Sequence, residues 1–385
     1  MKSENIITGS IIFSLIAFLP SGINFLLLPI YTSHLSIEDY GILTLATSIS
    51  TFFAVIGAFR TSTAINSFYY DYLHSEDTLK IFYGTILKFS FLSNLLIGIL
   101  LLLPLYFISN KFLGNFFPLG LFSFLIGLIS SIRSCFLVYH KNDKDILKYS
   151  VQYLLVTITL IVAQLIALMS LELHVEGVLG ARLFSEVVGL IAIVFIERKT
   201  FLLPFNSDMA IKAFRFSLPL IPSGIIGWIF LFGDRYFIST YLNTQTVGVY
   251  GFMITIVSLI SLFSDAITHG IQPYLFRYFK ESNIQTAQKT NLIAKWYLQA
   301  VLLFSFLILL GGFNLNLIIK NTSYLQFQNY LIGGVLVFIL DAYTKLFTNR
   351  VLFYKKTTFI SGISIFSIFI TTCLYGGTGK TGRRP

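Results

Sequence analysis

The chain has 385 residues, 55% of them hydrophobic and 11% charged, with a mean hydropathy of +0.80 and a formal net charge of +10. Soluble domains carry about 45–50% apolar and about 25% charged residues, so this composition excludes a soluble globular protein and defines an integral membrane protein. Its apolar runs are continuous and about 20 residues long, which selects spanning helices over the alternating strands of a barrel.

In chain order, helices are expected at about 6–31, 42–65, 81–108, 112–138, 146–171, 175–196, 211–238, 247–270, 291–313, 326–348 and 357–375. The apolar sequence after Met1 to Asn5 runs on through Ile30, too long for a signal-peptide core, so the first helix is expected to stay. With the N-terminus in the cytoplasm, twenty of the 27 basic residues fall on or near the inner side. The inner set includes Lys141, Lys144, Lys148, Arg198, Lys199, Lys212 and Arg215, and the positive-inside rule fixes the orientation accordingly.

One unit is used twice. Pro20-Ser21-Gly22-Ile23 recurs as Pro222-Ser223-Gly224-Ile225, and Leu35-Ser36-Ile37-Glu38-Asp39-Tyr40-Gly41 corresponds, at a similar spacing, to Leu242-Asn243-Thr244-Gln245-Thr246-Val247-Gly248. The copies start six helices apart, an even offset, so they are expected to be parallel repeats related by an axis along the membrane normal. The fold class is therefore all-α: a polytopic membrane protein of two parallel-repeat bundles, each of about six helices, around a central cleft. The expected bundles are 1–200 and 211–375. The polar tail at 376–385 is expected outside the fold, where a twelfth helix falls due. Gly379-Lys380-Thr381 resembles the end of a phosphate-binding loop, but Leu374 stands where its first glycine belongs and no strand precedes it, so no nucleotide site is expected.

Charges within the spans are expensive and therefore informative. Arg182 and Glu186 lie one turn apart on the sixth helix, as do Asp341 and Lys345 on the tenth, and each couple has the spacing of a self-neutralising pair. Asp234 and Arg235 are adjacent, so they are expected to point apart and to need partners elsewhere. Arg60, Lys88, Arg133 and Lys295 sit one to two turns inside the inner helix ends, where long basic side chains snorkel. Together with Arg182, Arg235 and Lys345 they outnumber the acids Glu186, Asp234, Asp265 and Asp341, which suits an anionic group such as a phosphate. The phenylalanines are expected as lipid-facing bulk, and tyrosines near helix ends, Tyr31 and Tyr69 among them, as an interfacial belt. Cys135 and Cys373 are expected to be bystanders. The five histidines are scattered without metal-ligand spacing, and no catalytic set converges, so neither enzyme chemistry nor a cofactor is expected.

Leu28-Pro29-Ile30-Tyr31 with the loop Leu35 to Gly41, and Gly233-Asp234-Arg235-Tyr236 with Val247-Gly248-Val249-Tyr250, resemble the bacterial polysaccharide-biosynthesis flippases. These are the Wzx-type translocases of O-antigen or capsule repeat units, in the superfamily that also holds multidrug and toxin extruders and lipid II flippases. The resemblance implies a cleft opening alternately to either side of the bacterial cytoplasmic membrane. It implies an undecaprenyl-diphosphate-linked oligosaccharide as substrate, membrane lipid as surroundings, polymerase and chain-length-control proteins as partners, and no nucleic acid. Asp234 and Arg235 match the family's acid-arginine pair on the seventh helix, and members usually have twelve or more helices, one more than the eleven read here. Arg60, Arg133, Arg182, Asp234 and Arg235 are the expected substrate-binding residues, and Glu186, Asp265 and Asp341 the ion-coupling candidates. A multidrug or organic-cation extruder and a polymerase-type membrane enzyme are the alternatives. The first would favour acids and aromatics in its cleft, and the second a long outer loop, whereas the outer loops here are short.

Overall fold

The computed structural model describes Ile16 and residues 22–281, 284–317, 319 and 321–353. Most of the expected first helix, the helix at 357–375 with Cys373, and the tail at 376–385 lie outside the described residues. Among the described residues the chain is all-α with no strand, and nine helical stretches are long and apolar enough to cross a membrane. They correspond to the second through tenth helices read from hydropathy.

The helices are α1 (Leu28–His34), α2 (Ile37–Ile56), α3 (Thr61–Phe68), α4 (Glu76–Phe112), α5 (Leu121–Asn142), α6 (Ile146–Leu165), α7 (Val175–Ile196), the short α8 (Arg198–Leu202), α9 (Ser207–Ser217), α10 (Ile221–Tyr241), α11 (Thr244–Glu281), α12 (Ile284–Phe313) and α13 (Gln328–Phe353). Two compact units result. Among the described residues one reaches to Phe252 and includes Asn316–Phe327; the other comprises Met253–Leu315 and the chain from Gln328.

In the first unit, α5 packs against α2 and α7, and α6 packs along α7. Tyr83 stacks on Tyr139 with ring centres 3.7 Å apart, in a cluster with Ile65, Phe82, Ile86 and Cys135. Tyr69 belongs to this cluster, and Tyr31, 5% exposed, donates to Gln164 at 2.9 Å; neither stands in an interfacial belt. Phe82, Phe136, Phe252 and Phe327 are fully buried, so the phenylalanines divide between core and lipid surface. The outward face of α4 exposes Leu92, Leu95, Ile99, Leu103 and Phe107, as a surface solvated by lipid allows. Past the end of α7, Glu197 is buried; burial raises its carboxyl pKa, but hydrogen bonding from His140 and Thr200 and the charge of Lys148 outweigh that and hold it below the ordinary value.

The repeat is visible as a contact of each copy with the other. Ser36 caps α2 through the Asp39 N–H, and Asn243, 207 positions later, caps α11 through the Thr246 N–H at 2.7 Å. Gly41 and Gly248, also 207 apart, pack on one another: a Cβ on Gly41 would stand 2.1 Å from the Thr244 carbonyl oxygen, and one on Gly248 would stand 1.9 Å from that of Ile37. Ile37 and Thr244 are themselves the corresponding residues, so the contact is reciprocal, the signature of a two-fold relation between the two segments. One turn on, Thr44 meets its own counterpart, Gly251. The contact advances along both helices in the same direction, so they run parallel. An inverted repeat would move it in opposite directions.

In the second unit, the Tyr297 hydroxyl ties α12 to both neighbours, 2.8 Å from Ser264 Oγ on α11 and donating to the Ala342 carbonyl of α13 at 2.8 Å.

A Cβ on Gly251 would lie 3.2 Å from that of Thr44, just inside the about 3.5–4.5 Å that a disulfide spans, so a small parting of the helices admits one. With Cys135 and Cys373 replaced by alanine, Thr44→Cys combined with Gly251→Cys should cross-link on mild oxidation, read as linked peptides by mass spectrometry. Thr44→Cys with Gln245→Cys, the pair an antiparallel arrangement would join, should stay reduced.

Candidate functional site

Helix α2 does not continue straight into α3. Between them Ala58, Phe59 and Arg60 take left-handed φ values of 49°, 48° and 58°. For residues bearing a Cβ this costs about 1–2 kcal/mol each. The freed backbone is caught by Asn94 of α4, whose Oδ1 accepts from the Ala58 N–H at 2.7 Å. Its Nδ2 donates to the Leu128 carbonyl at 3.0 Å and to Ser131 Oγ at 2.9 Å, which anchors the turn to α5. Gly57 lets Ser131 approach, since a Cβ there would stand 2.5 Å from its hydroxyl.

The break leaves a cavity of about 220 Å³ lined by Ala54, Val55, Gly57, Ala58, Arg60, Ser62, Thr63, Ser131 and Ser134. The half-buried Arg60 is the charged group in this wall, and no carboxylate pairs with it among the described residues. Its guanidinium reaches Gly224, where any Cβ would overlap Nη1. The glycine of the second Pro-Ser-Gly-Ile copy thus leaves room for an arginine, which Gly22 of the first does not meet.

The other expected site residues of the first unit fall into three separate arrangements. Arg133 of α5 forms a bidentate pair with Glu186 of α7, Nε to Oε2 at 2.9 Å and Nη2 to Oε1 at 2.6 Å. The spacing of Arg182 and Glu186 suggested a pair within α7; instead Arg182 donates to Thr47 Oγ1 of α2 at 3.0 Å, because the planar fork of Arg133 satisfies both oxygens of Glu186. Asp234 and Arg235 were expected to point apart. The structure brings Arg235 Nη1 to 3.5 Å from Asp234 Oδ1, and the same nitrogen donates to the Leu231 carbonyl at 2.7 Å. The Phe232 ring lies under the guanidinium, and Asp234 accepts from the Tyr250 hydroxyl. Arg235 is 8% exposed and locally neutralised. Tyr236, the next residue, packs α10 on α2 through Ser48 Oγ at 2.7 Å.

In the second unit Lys345 collects both remaining acids, with Nζ 2.6 Å from Asp265 Oδ1 and 3.1 Å from Asp341 Oδ2. It also donates to Ser261 Oγ at 2.8 Å, and Ser261 donates to Asp341 at 3.2 Å. Two carboxylates share one ammonium, so the cluster carries a net charge of −1. Asp265 joins by a contact between α11 and α13 that no spacing within one helix reveals. Asn94, Ser131, Thr47 and Ser261 were also missed; a lone asparagine in the apolar run of α4 was the one signal available.

These features define a multi-pass, all-α membrane protein with the fold of the MATE transporters. The chain is similar to the inward-facing conformation of a multidrug resistance MATE family transporter of the MOP superfamily, with a TM-score of 0.54 and 15% identity over 92% of this chain and 81% of that one. It is also similar to a MATE in complex with MaD3S, with a TM-score of 0.49 and 15% identity over 89% and 82% of the two chains. The profile of the polysaccharide biosynthesis protein family matches residues 6–279, and the chain belongs to that family. No curated protein matches the sequence.

Removing one member of a buried ion pair strands the other charge at about 3–5 kcal/mol, whereas removing both is often close to neutral. Arg133→Met should therefore lower the stability of the purified protein strongly, and Arg133→Met with Glu186→Met should recover most of the loss. Thermal unfolding in detergent measures both.

Proposed function

We propose that this protein is a flippase that carries an undecaprenyl-diphosphate-linked oligosaccharide repeat unit across the bacterial cytoplasmic membrane for O-antigen, capsule or exopolysaccharide synthesis. The observation that carries this reading is Arg60, a cation without a carboxylate partner among the described residues, in a hydroxyl-lined cavity made by a broken membrane helix. A diphosphate cannot cross about 30 Å of hydrocarbon with its hydration shell intact, and an arginine fork with serine and threonine hydroxyls replaces that shell. The cavity is smaller than the about 300–1,000 Å³ of sites that enclose a whole ligand, so it suits a phosphate group while sugar and prenyl chain lie elsewhere. Membership of the polysaccharide biosynthesis family supports the substrate class. Translocation makes and breaks no covalent bond, so the protein acts as a transporter, supplying substrate to the polymerase and chain-length-control proteins of its pathway.

Arg182, held by a neutral threonine, is the second anion-binding residue in this reading. Arg133 and Arg235 are committed to Glu186 and Asp234 and position the helices around it. The Asp265–Lys345–Asp341 cluster is the coupling element in this reading, because there two carboxylates face a single ammonium, whereas Glu186 is matched by one arginine.

Arg60→Ala should reduce surface polysaccharide at least tenfold in a strain lacking its own repeat-unit flippase, at matched membrane levels. Arg60→Lys, which keeps the charge and loses the fork, should retain more. Full complementation by Arg60→Ala would overturn the anion-handling role.

A further inference from the structure

Where α5 runs into the connection to α6, His140 is 1% exposed, and its two ring nitrogens face different surroundings. Nε2 lies 2.9 Å from Oε1 of Glu197, whose other oxygen accepts from the Thr200 hydroxyl at 2.6 Å. A carboxylate offers only acceptors, so this contact places the ring proton on Nε2. In the form of the ring that carries one proton, Nδ1 is a lone pair. It is buried, and no hydrogen bond reaches it.

What Nδ1 faces is another carboxylate, Oδ2 of Asp145 at 3.8 Å. Asp143 completes the group, and the three residues each offer a ligand atom within 4.8 Å of the others. A buried lone pair set against carboxylate oxygens is repulsive unless positive charge stands between them. Lys148 supplies one charge, its Nζ 3.8 Å from Asp145 and 3.5 Å from Glu197. Three carboxylates, those of Asp143, Asp145 and Glu197, face this ammonium, an excess of negative charge that a divalent cation would offset.

We infer that His140, Asp143 and Asp145 bind one divalent transition-metal ion, with Glu197 as the outer carboxylate that orients the histidine. One imidazole nitrogen and two carboxylate oxygens suit Zn²⁺ or Mn²⁺, whereas Ca²⁺ and Mg²⁺ prefer oxygen ligands alone. A carboxylate on the far nitrogen of a metal-binding histidine is the usual outer partner, fixing tautomer and ring orientation. Asp143 is exposed and Asp145 partly so, which provides an entry path and leaves both carboxylates free to close on an ion. Asp143 also accepts from Tyr69, just past α3, at 2.9 Å, and Asp145 caps α6 through the Lys148 N–H at 3.0 Å. A bound ion therefore clips the ends of α3, α5, α6 and α7 together, on the side that the basic residues Lys141, Lys144 and Lys148 mark as cytoplasmic.

The test uses the full chain, purified in detergent and stripped with a chelator, then titrated with MnCl₂ or ZnCl₂ by calorimetry and assayed for bound metal by mass spectrometry. One ion per chain is expected, with nitrogen coupling in the pulsed electron paramagnetic resonance of bound Mn²⁺. Asp143→Asn and Asp145→Asn keep the acceptors for Tyr69 and for the α6 cap, and circular dichroism checks that they fold. Each should weaken binding at least tenfold. Substoichiometric binding, or unchanged affinity in both variants, would overturn the site. So would a histidine ¹⁵N spectrum showing His140 doubly protonated at neutral pH whether or not metal is added, since a proton on Nδ1 would then supply the missing charge.

Discussion

Hydrocarbon offers no water to a freed N–H, so a membrane helix can break only where protein atoms take over the lost hydrogen bonds. In this chain that duty falls on Asn94. By accepting from Ala58 and donating to α5, it makes the left-handed turn after Ile56 tolerable, and the turn in turn opens the cavity and places Arg60 in its wall. An asparagine in the middle of α4 is costly by itself. With every amide group engaged it becomes the fixed point from which the local geometry of α2, α3 and α5 follows.

The charges of the first unit follow the same logic. Arg133 and Glu186 satisfy one another through a geometry only a guanidinium and a carboxylate share, and Arg235 uses its neighbour Asp234, a carbonyl and a ring face. Arg60 and Arg182 are left without a carboxylate partner among the described residues, as is Lys88, which donates to the Leu203 carbonyl. Structural pairing thus uses up some of the buried cations of this unit and leaves others over. In the second unit the surplus has the opposite sign, two acids on one lysine.

The contact between Gly41 and Gly248 shows why the repeat matters physically. Corresponding residues here meet backbone to backbone across their two-fold axis, and only glycine leaves room for the carbonyls found there. The same axis explains two helix caps of different chemistry, Ser36 and Asn243, at corresponding positions.

Composition and hydropathy alone determined the all-helical membrane class and the number and order of the described spans, because lipid demands continuous apolar stretches that read directly from the chain. The repeat was equally legible, since Ser36 to Gly41 and Asn243 to Gly248 keep a constant offset. The candidate site residues could be named but not partnered. Spacing pairs Arg182 with Glu186 and leaves Asp234 and Arg235 apart, and both expectations failed because a charged side chain in a membrane takes whichever partner lies nearest in space, on its own helix or another. Only the tertiary structure could give Glu186 to Arg133, bring Asp265 to Lys345 and break α2 at Gly57. The partners involved, Asn94, Thr47 and Ser261, are small polar residues whose importance is set by what they face, and facing is a property of packing that a linear pattern does not carry.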